Sequence, residues 1–203
     1  PRPRRFGKTL NMTMLKYFFS NQQDYRYLFE DLAITENAEA MKHCGQYPVI
    51  YLSFKDVKQT SAKSTFNQIG YLIAEAFDQH HDVLNTLSLT EVEANMLKAI
   101  RSRSISQEEL GSSIKLLSQL ISRHAQKPVV IIIDEYDMPI TSAYTYGYYD
   151  ELVGFLRNLL SGAFKDNPAV FKGVMTGILR IARESIFSGL NNVDVCTLVN
   201  PRY

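Results

Sequence analysis

Pro128-Val129-Val130-Ile131-Ile132-Ile133-Asp134-Glu135 is the stretch on which the reading of this chain turns. An unbroken, mostly β-branched apolar run, opened by proline and closed by two acids, is the pattern of a parallel strand covered on both faces. A strand ending in carboxylates delivers them to the carboxyl edge of the sheet, where open α/β folds bind ligands. Solvated acids at a strand end are the plainer reading of the same residues, so a second element has to decide.

That element lies far upstream. Gly7-Lys8-Thr9 opens a segment in which Leu10, Met14, Leu15, Phe18 and Phe19 recur at helical spacing up to Ser20. A Gly-Lys-Thr turn feeding a helix is the second half of a phosphate-binding loop: backbone N–H groups and the helix N-terminus wrap phosphates, the lysine reaches the β and γ phosphates, and the hydroxyl binds Mg²⁺. Alone, the tripeptide is also a common turn and cap. Followed in order by an apolar strand ending in Asp134-Glu135, it carries far more weight. Asp134 is then expected to hold Mg²⁺ through water, and Glu135 to orient and polarise an attacking water. The full loop signature starts with glycine five residues before Gly7, where this chain has Arg2, and a side chain there alters the tight turn that glycine permits.

The remaining segments supply the frame. Pro48 to Phe54 (Pro-Val-Ile-Tyr-Leu-Ser-Phe) reads as a buried strand, and Ala169 to Met175 as a further buried strand ending at Thr176-Gly177. Helical periodicity runs from about Ser61 to Gln79, from Thr90 to Ile100, from Ser106 to Ala125 and from Tyr149 to Lys165, with Ser106 and Glu109 spaced as a capping box. Strands alternating with helices predict an α/β fold with a mostly parallel sheet and helices on both faces, a P-loop NTPase arrangement in one domain over residues 1–203. The first strand of such a sheet, which precedes the phosphate loop, is expected upstream of Pro1.

Bulk properties narrow the class. The 203 residues are 45% hydrophobic and 11% aromatic, enough for one substantial core. Lysine plus arginine (22) nearly balances aspartate plus glutamate (21), so no global basic footprint points to nucleic acid or a membrane surface. Cys44 and Cys196 stand alone, outside any zinc-ligand spacing, which fits a reducing, cytoplasmic setting. No run reaches the ~18 apolar residues of a membrane span, and Pro-Arg-Pro-Arg-Arg at the start lacks the apolar core of a signal peptide.

Three blocks together resemble a known family. They are Arg2-Pro3-Arg4-Arg5-Phe6-Gly7-Lys8-Thr9-Leu10; Val130-Ile131-Ile132-Ile133-Asp134-Glu135-Tyr136-Asp137 with Pro139-Ile140; and Thr176-Gly177 with Glu184-Ser185-Ile186-Phe187-Ser188-Gly189-Leu190-Asn191-Asn192. In this combination the chain resembles the predicted AAA-ATPase-like family found mainly in bacteria, in which Arg2 looks like a family trait. The resemblance implies ATP and Mg²⁺ as cofactors, Gly7, Lys8 and Thr9 as the phosphate loop, Asp134 and Glu135 as the second motif, and Thr176 as a polar sensor of the γ phosphate. It also implies a carboxyl-terminal PD-(D/E)XK nuclease-like domain as a common neighbour, which these residues do not contain.

Other residues keep two readings. Arg180 and Arg183 either stabilise γ-phosphate charge or are surface arginines, the more usual case. Arg4 and Arg5 either assist nucleotide capture or face solvent. His80-His81 reads as a polar helix end rather than a metal site. Tyr144-Thr145-Tyr146-Gly147-Tyr148-Tyr149 reads as a loop whose rings pack on the core or, less readily, stack a base. For the whole chain, Mg²⁺-dependent ATP hydrolysis leads. A non-hydrolysing regulatory or scaffold module for a partner domain or nucleic acid comes second, and an unrelated α/β enzyme with an accidental Gly7-Lys8-Thr9 third.

Overall fold

The computed structural model describes residues 7–178 and Asp194. Helix α1 (Lys8–Phe19) leaves Gly7, two short 3-10 turns follow at Arg26–Phe29 and Ala33–Glu36, and α2 (Ala38–Met41) leads into strand β1 (Val49–Ser53). A helical layer comes next: α3 (Ala62–Asp78), α4 (His81–Asn85), α5 (Glu91–Arg101), α6 (Gln107–Leu110) and α7 (Ser113–Ala125). Strand β2 (Val129–Asp134), helices α8 (Met138–Tyr146) and α9 (Tyr149–Phe164), and strand β3 (Val170–Met175) complete the described chain.

The three strands form a parallel sheet in the order β1-β2-β3, with Val49 opposite Val130 and Ser53 opposite Asp134. Parallel neighbours need long crossovers; the helices between the strands cover one face, and α1, which precedes β1, covers the other. Side chains alternate along β2. Val130 and Ile132 meet Met12 and Leu15 of α1 on one face, while Val129, Ile131 and Ile133 enter the larger core built with α3, α7 and α9 on the other. Every residue of β2 is buried, so each isoleucine contributes about 1.5–3 kcal/mol of transfer free energy. This is the α/β architecture, parallel sheet and two-sided helical cover expected from the sequence.

Three expectations change. The predicted helix from Ser106 to Ala125 is two helices. The Ser106–Glu109 capping box is present, but it caps only α6. The chain turns at Gly111-Ser112, where the Ser113 hydroxyl donates to the Leu110 carbonyl across 2.6 Å, and Gly162 of α9 approaches so closely that a Cβ there would lie 3.2 Å from the Gly111 oxygen. A side-chain donor replaces the backbone donor at the break, and the close helix crossing favours the turn.

The segment from Ala169 to Met175 is a strand but not a buried one. Among the described residues β3 pairs only with β2, and Phe171 to Gly173 are exposed. The tyrosine-rich stretch is the end of α8, a turn at Gly147 with φ 79°, and the start of α9. Tyr144 and Tyr146 project outward, whereas Tyr148 donates to the Gln59 carbonyl at 2.6 Å and packs on the core with Tyr149. The buried face of α8 is formed by Pro139, Ile140 and Ala143, and Tyr144 and Tyr146 lie off it.

Candidate functional site

The carboxyl end of β2 and the amino end of α1 meet. Because Asp134 lies an even number of residues beyond Val130 and Ile132, its side chain leaves the sheet on the α1 face. There the Thr9 hydroxyl donates to Asp134 Oδ2 across 2.8 Å. Gly7 precedes α1 with φ 68°, a left-handed turn in which a β-carbon would be strained, so the helix starts abruptly, and the Gly7 position supplies no side-chain cap. Lys8, next along, is buried at 7% exposure. The two sequence motifs therefore come together as expected, and the contact between them is direct.

Asp134 is fully buried, and its Oδ1 makes no hydrogen bond. A desolvated carboxylate oxygen without a donor is costly unless a cation or water takes it up. Together with the Thr9 hydroxyl it offers the hard oxygen donors that Mg²⁺ prefers, in the small number that leaves room for waters and phosphate oxygens. Among the described residues no group of three or more His, Cys, Asp and Glu is placed to hold a metal, so a site supplied wholly by such side chains is not what this geometry resembles.

Glu135 follows in a left-handed backbone conformation, φ 53°, which is uncommon for a residue with a long side chain. The turn around it is braced on both flanks. Phe54 N–H donates to the Asp134 carbonyl at 2.9 Å, Tyr136 N–H donates to the Thr176 carbonyl at 3.2 Å, and Thr176 N–H donates to the Ile133 carbonyl at 3.0 Å. Thr176 thus lies beside the acidic pair at the end of β3. All six residues singled out from the sequence, Gly7, Lys8, Thr9, Asp134, Glu135 and Thr176, sit at one end of the sheet. Arg2, Arg4, Arg5, Arg180, Arg183, Cys196 and the block from Glu184 to Asn192 lie outside the described residues.

Two residues here escaped the sequence reading. Tyr51 of β1 stands opposite Ile132, and burial, then the neighbouring Asp134 charge, push its phenol pKa up. Lys16 Nζ sits 5.4 Å from its ring centroid. Only the strand register brings Tyr51 to Asp134, so no local signal marks it. Asp137 did have a signal, as the third acid in Asp134-Glu135-Tyr136-Asp137. It is 1% exposed, and its Oδ2 accepts the Ile178 N–H at 2.8 Å.

Elsewhere, His80-His81 lies at a helix end as expected, with His80 directly before α4, but His80 is buried. It is 6% exposed, and burial holds its imidazole pKa below the ordinary value, outweighing the raising effect of a bond to the Val49 backbone. Cys44 is buried, and that burial raises its thiol pKa. Among the described residues no helix is long and apolar enough to cross a membrane.

A parallel α/β sheet with a Gly-Lys-Thr turn docked on the acidic end of its central described strand defines an α/β domain of the P-loop NTPase kind. Comparison with known families narrows this: the family model described as "Predicted AAA-ATPase" matches residues 1–187, and the chain belongs to that AAA-ATPase-like family. A relative from Azotobacter chroococcum mcd 1, described as an uncharacterized protein in the vnfD 5′ region, is 28% identical over 204 residues. The match takes in all of this chain but only 34% of the relative, so the chain spans about a third of that protein's length. No solved structure matches.

Proposed function

We propose that residues 1–203 form part of an AAA-ATPase-like P-loop domain that binds ATP with Mg²⁺ and hydrolyses it to ADP and phosphate. The observation that carries this reading is the 2.8 Å bond from Thr9 to Asp134, which unites the phosphate-loop turn and the strand-end acids at one point. Family membership supports nucleotide binding, and the geometry supports the assignment of roles.

In this reading the N–H groups at the start of α1 receive phosphate oxygens, which the partial positive charge of the helix end favours. Lys8 places its ammonium against the β and γ phosphates from a largely desolvated position, where its charge is weakly screened. Thr9 and Asp134 hold Mg²⁺, which when bound offsets charge on the phosphate oxygens. Glu135, beyond the buried strand, accepts a hydrogen bond from the attacking water and orients it, and Thr176 donates to the γ phosphate from the neighbouring strand end.

The test is ATP binding and phosphate release by the full-length protein with and without Mg²⁺. Lys8→Ala is expected to abolish binding, and Glu135→Gln to bind ATP while turnover falls at least a hundredfold, the scale set by loss of a positioned base. Mg²⁺-dependent binding without turnover in the wild type would establish a regulatory switch instead. Binding untouched by Lys8→Ala would end the phosphate-loop assignment.

A further inference from the structure

We infer that Asp137 is a positioning residue that clamps the turn carrying Glu135 to the turn carrying Thr176, with Gly177 as its required counterpart. The inference rests on the ATPase reading above for its functional meaning, while the clamp itself is a matter of geometry. Asp137 Oδ2 accepts the Ile178 N–H at 2.8 Å, and one residue earlier Tyr136 N–H donates to the Thr176 carbonyl at 3.2 Å. Two consecutive residues after Glu135 are therefore tied to the two sides of Gly177.

Gly177 is pressed between them. A β-carbon there would lie 2.6 Å from Asp137 Oδ1 and 3.0 Å from a ring carbon of Tyr136, and both of those residues are buried in place. Contacts that short force something to move, and within a packed interior the turn is what yields. Its φ is not positive, so space and not backbone freedom makes glycine necessary here.

On its other flank Asp137 starts α8. The Thr141 N–H and hydroxyl both donate to the Asp137 carbonyl at 3.0 Å, and Met138 N–H closes the turn onto the Glu135 carbonyl at 3.1 Å. Glu135 is thus held with φ 53° between a helix start and a clamped strand end. A left-handed glutamate persists only where its surroundings over-determine it, and Asp137 supplies one of those constraints. It touches neither nucleotide nor water in this scheme. It sets the spacing between the residue that would orient the water and the residue that would sense the γ phosphate.

The experiment compares Asp137→Ala, Asp137→Asn and Gly177→Ala with wild type in the full-length protein, reading kcat and KM for ATP and amide hydrogen exchange at Ile178. Asp137→Ala and Gly177→Ala are expected to lower kcat about 10- to 100-fold with KM within about twofold, the scale of a displaced reacting group. Asp137→Asn, whose carbonyl oxygen still accepts from Ile178, is expected to keep most of the activity. Exchange at Ile178 should be slow in wild type and Asp137→Asn and at least tenfold faster in Asp137→Ala. Unchanged kcat in Asp137→Ala, or a KM that rises in step with a falling kcat, would overturn the positioning role. Should wild type turn over no ATP, the ATPase reading fails, and equal Ile178 exchange in wild type and Asp137→Ala separately overturns the clamp.

Discussion

Thr9 Oγ1 and Asp134 Oδ2 lie 2.8 Å apart although 125 positions separate them in the chain. The bond joins the first turn of α1 to the last residue of β2. It is also the only hydrogen bond described for the Thr9 hydroxyl, and it satisfies one oxygen of a fully buried carboxylate whose other oxygen makes none.

Removing that hydroxyl should therefore be felt twice. Thr9→Ala is expected to destabilise the nucleotide-free protein by about 1–3 kcal/mol, because a buried acceptor loses its donor. It should also weaken the Mg²⁺-dependent part of nucleotide affinity, whereas Thr9→Ser restores both. Urea unfolding and nucleotide titrations with and without Mg²⁺ read the two effects; a midpoint unchanged in Thr9→Ala would show that the bond contributes nothing to stability.

Glu135 predicts a trade between stability and activity. Its φ of 53° costs backbone energy that asparagine, tolerant of the left-handed region, largely avoids. Glu135→Asn should raise the unfolding free energy by about 0.5–1 kcal/mol while ATP turnover is lost. A lower thermal midpoint in this variant would mean that the glutamate side chain stabilises the turn more than its backbone strains it.

Gly173 marks where α9 meets β3. A β-carbon at this position would clash with the Phe164 ring, so Gly173→Ala is expected to cost about 1–3 kcal/mol by overpacking. Adding Phe164→Leu should recover part of that loss, giving a non-additive double-mutant cycle. Strict additivity in denaturant unfolding would contradict the contact.

His80 makes stability depend on pH in a defined direction. Its folded pKa lies below the ordinary 6.5, mainly because burial disfavours the imidazolium. As pH falls below about 6.5 the unfolded chain takes up the proton first, so stability declines until the folded value is passed, at up to about 1.4 kcal/mol per pH unit. Above that window the contribution is constant. Urea midpoints across pH 5 to 8 should show the decline in wild type and a flatter profile in His80→Gln; parallel profiles would assign the pH dependence to other groups.

Much of this molecule was legible in one dimension. The run from Val129 to Ile133 announced a strand buried on both sides, because continuous β-branched apolar residues have no solvent face to offer. The Ser106–Glu109 capping box was visible from spacing alone, since it is a contact between residues three apart. Its helix was read too long because the break depends on how closely Gly162 crosses the backbone at Gly111, a contact with a distant element. The exposed edge at Phe171 and the burial of His80 have the same character: apolar periodicity reports that a residue favours burial, while neighbours far along the chain decide whether it is covered.

The sequence by itself determined the α/β class, the two motifs and the order in which they occur, because strand and helix periods and the Gly-Lys-Thr and Asp-Glu patterns are local. Tertiary structure alone decided that Thr9 reaches Asp134, that Tyr51 stands beside that carboxylate, and that Asp137 locks onto Ile178 across Gly177. Those relationships depend on strand register and on helix placement over the sheet; a one-residue shift of register would send strand side chains such as Tyr51 and Asp134 to the opposite face.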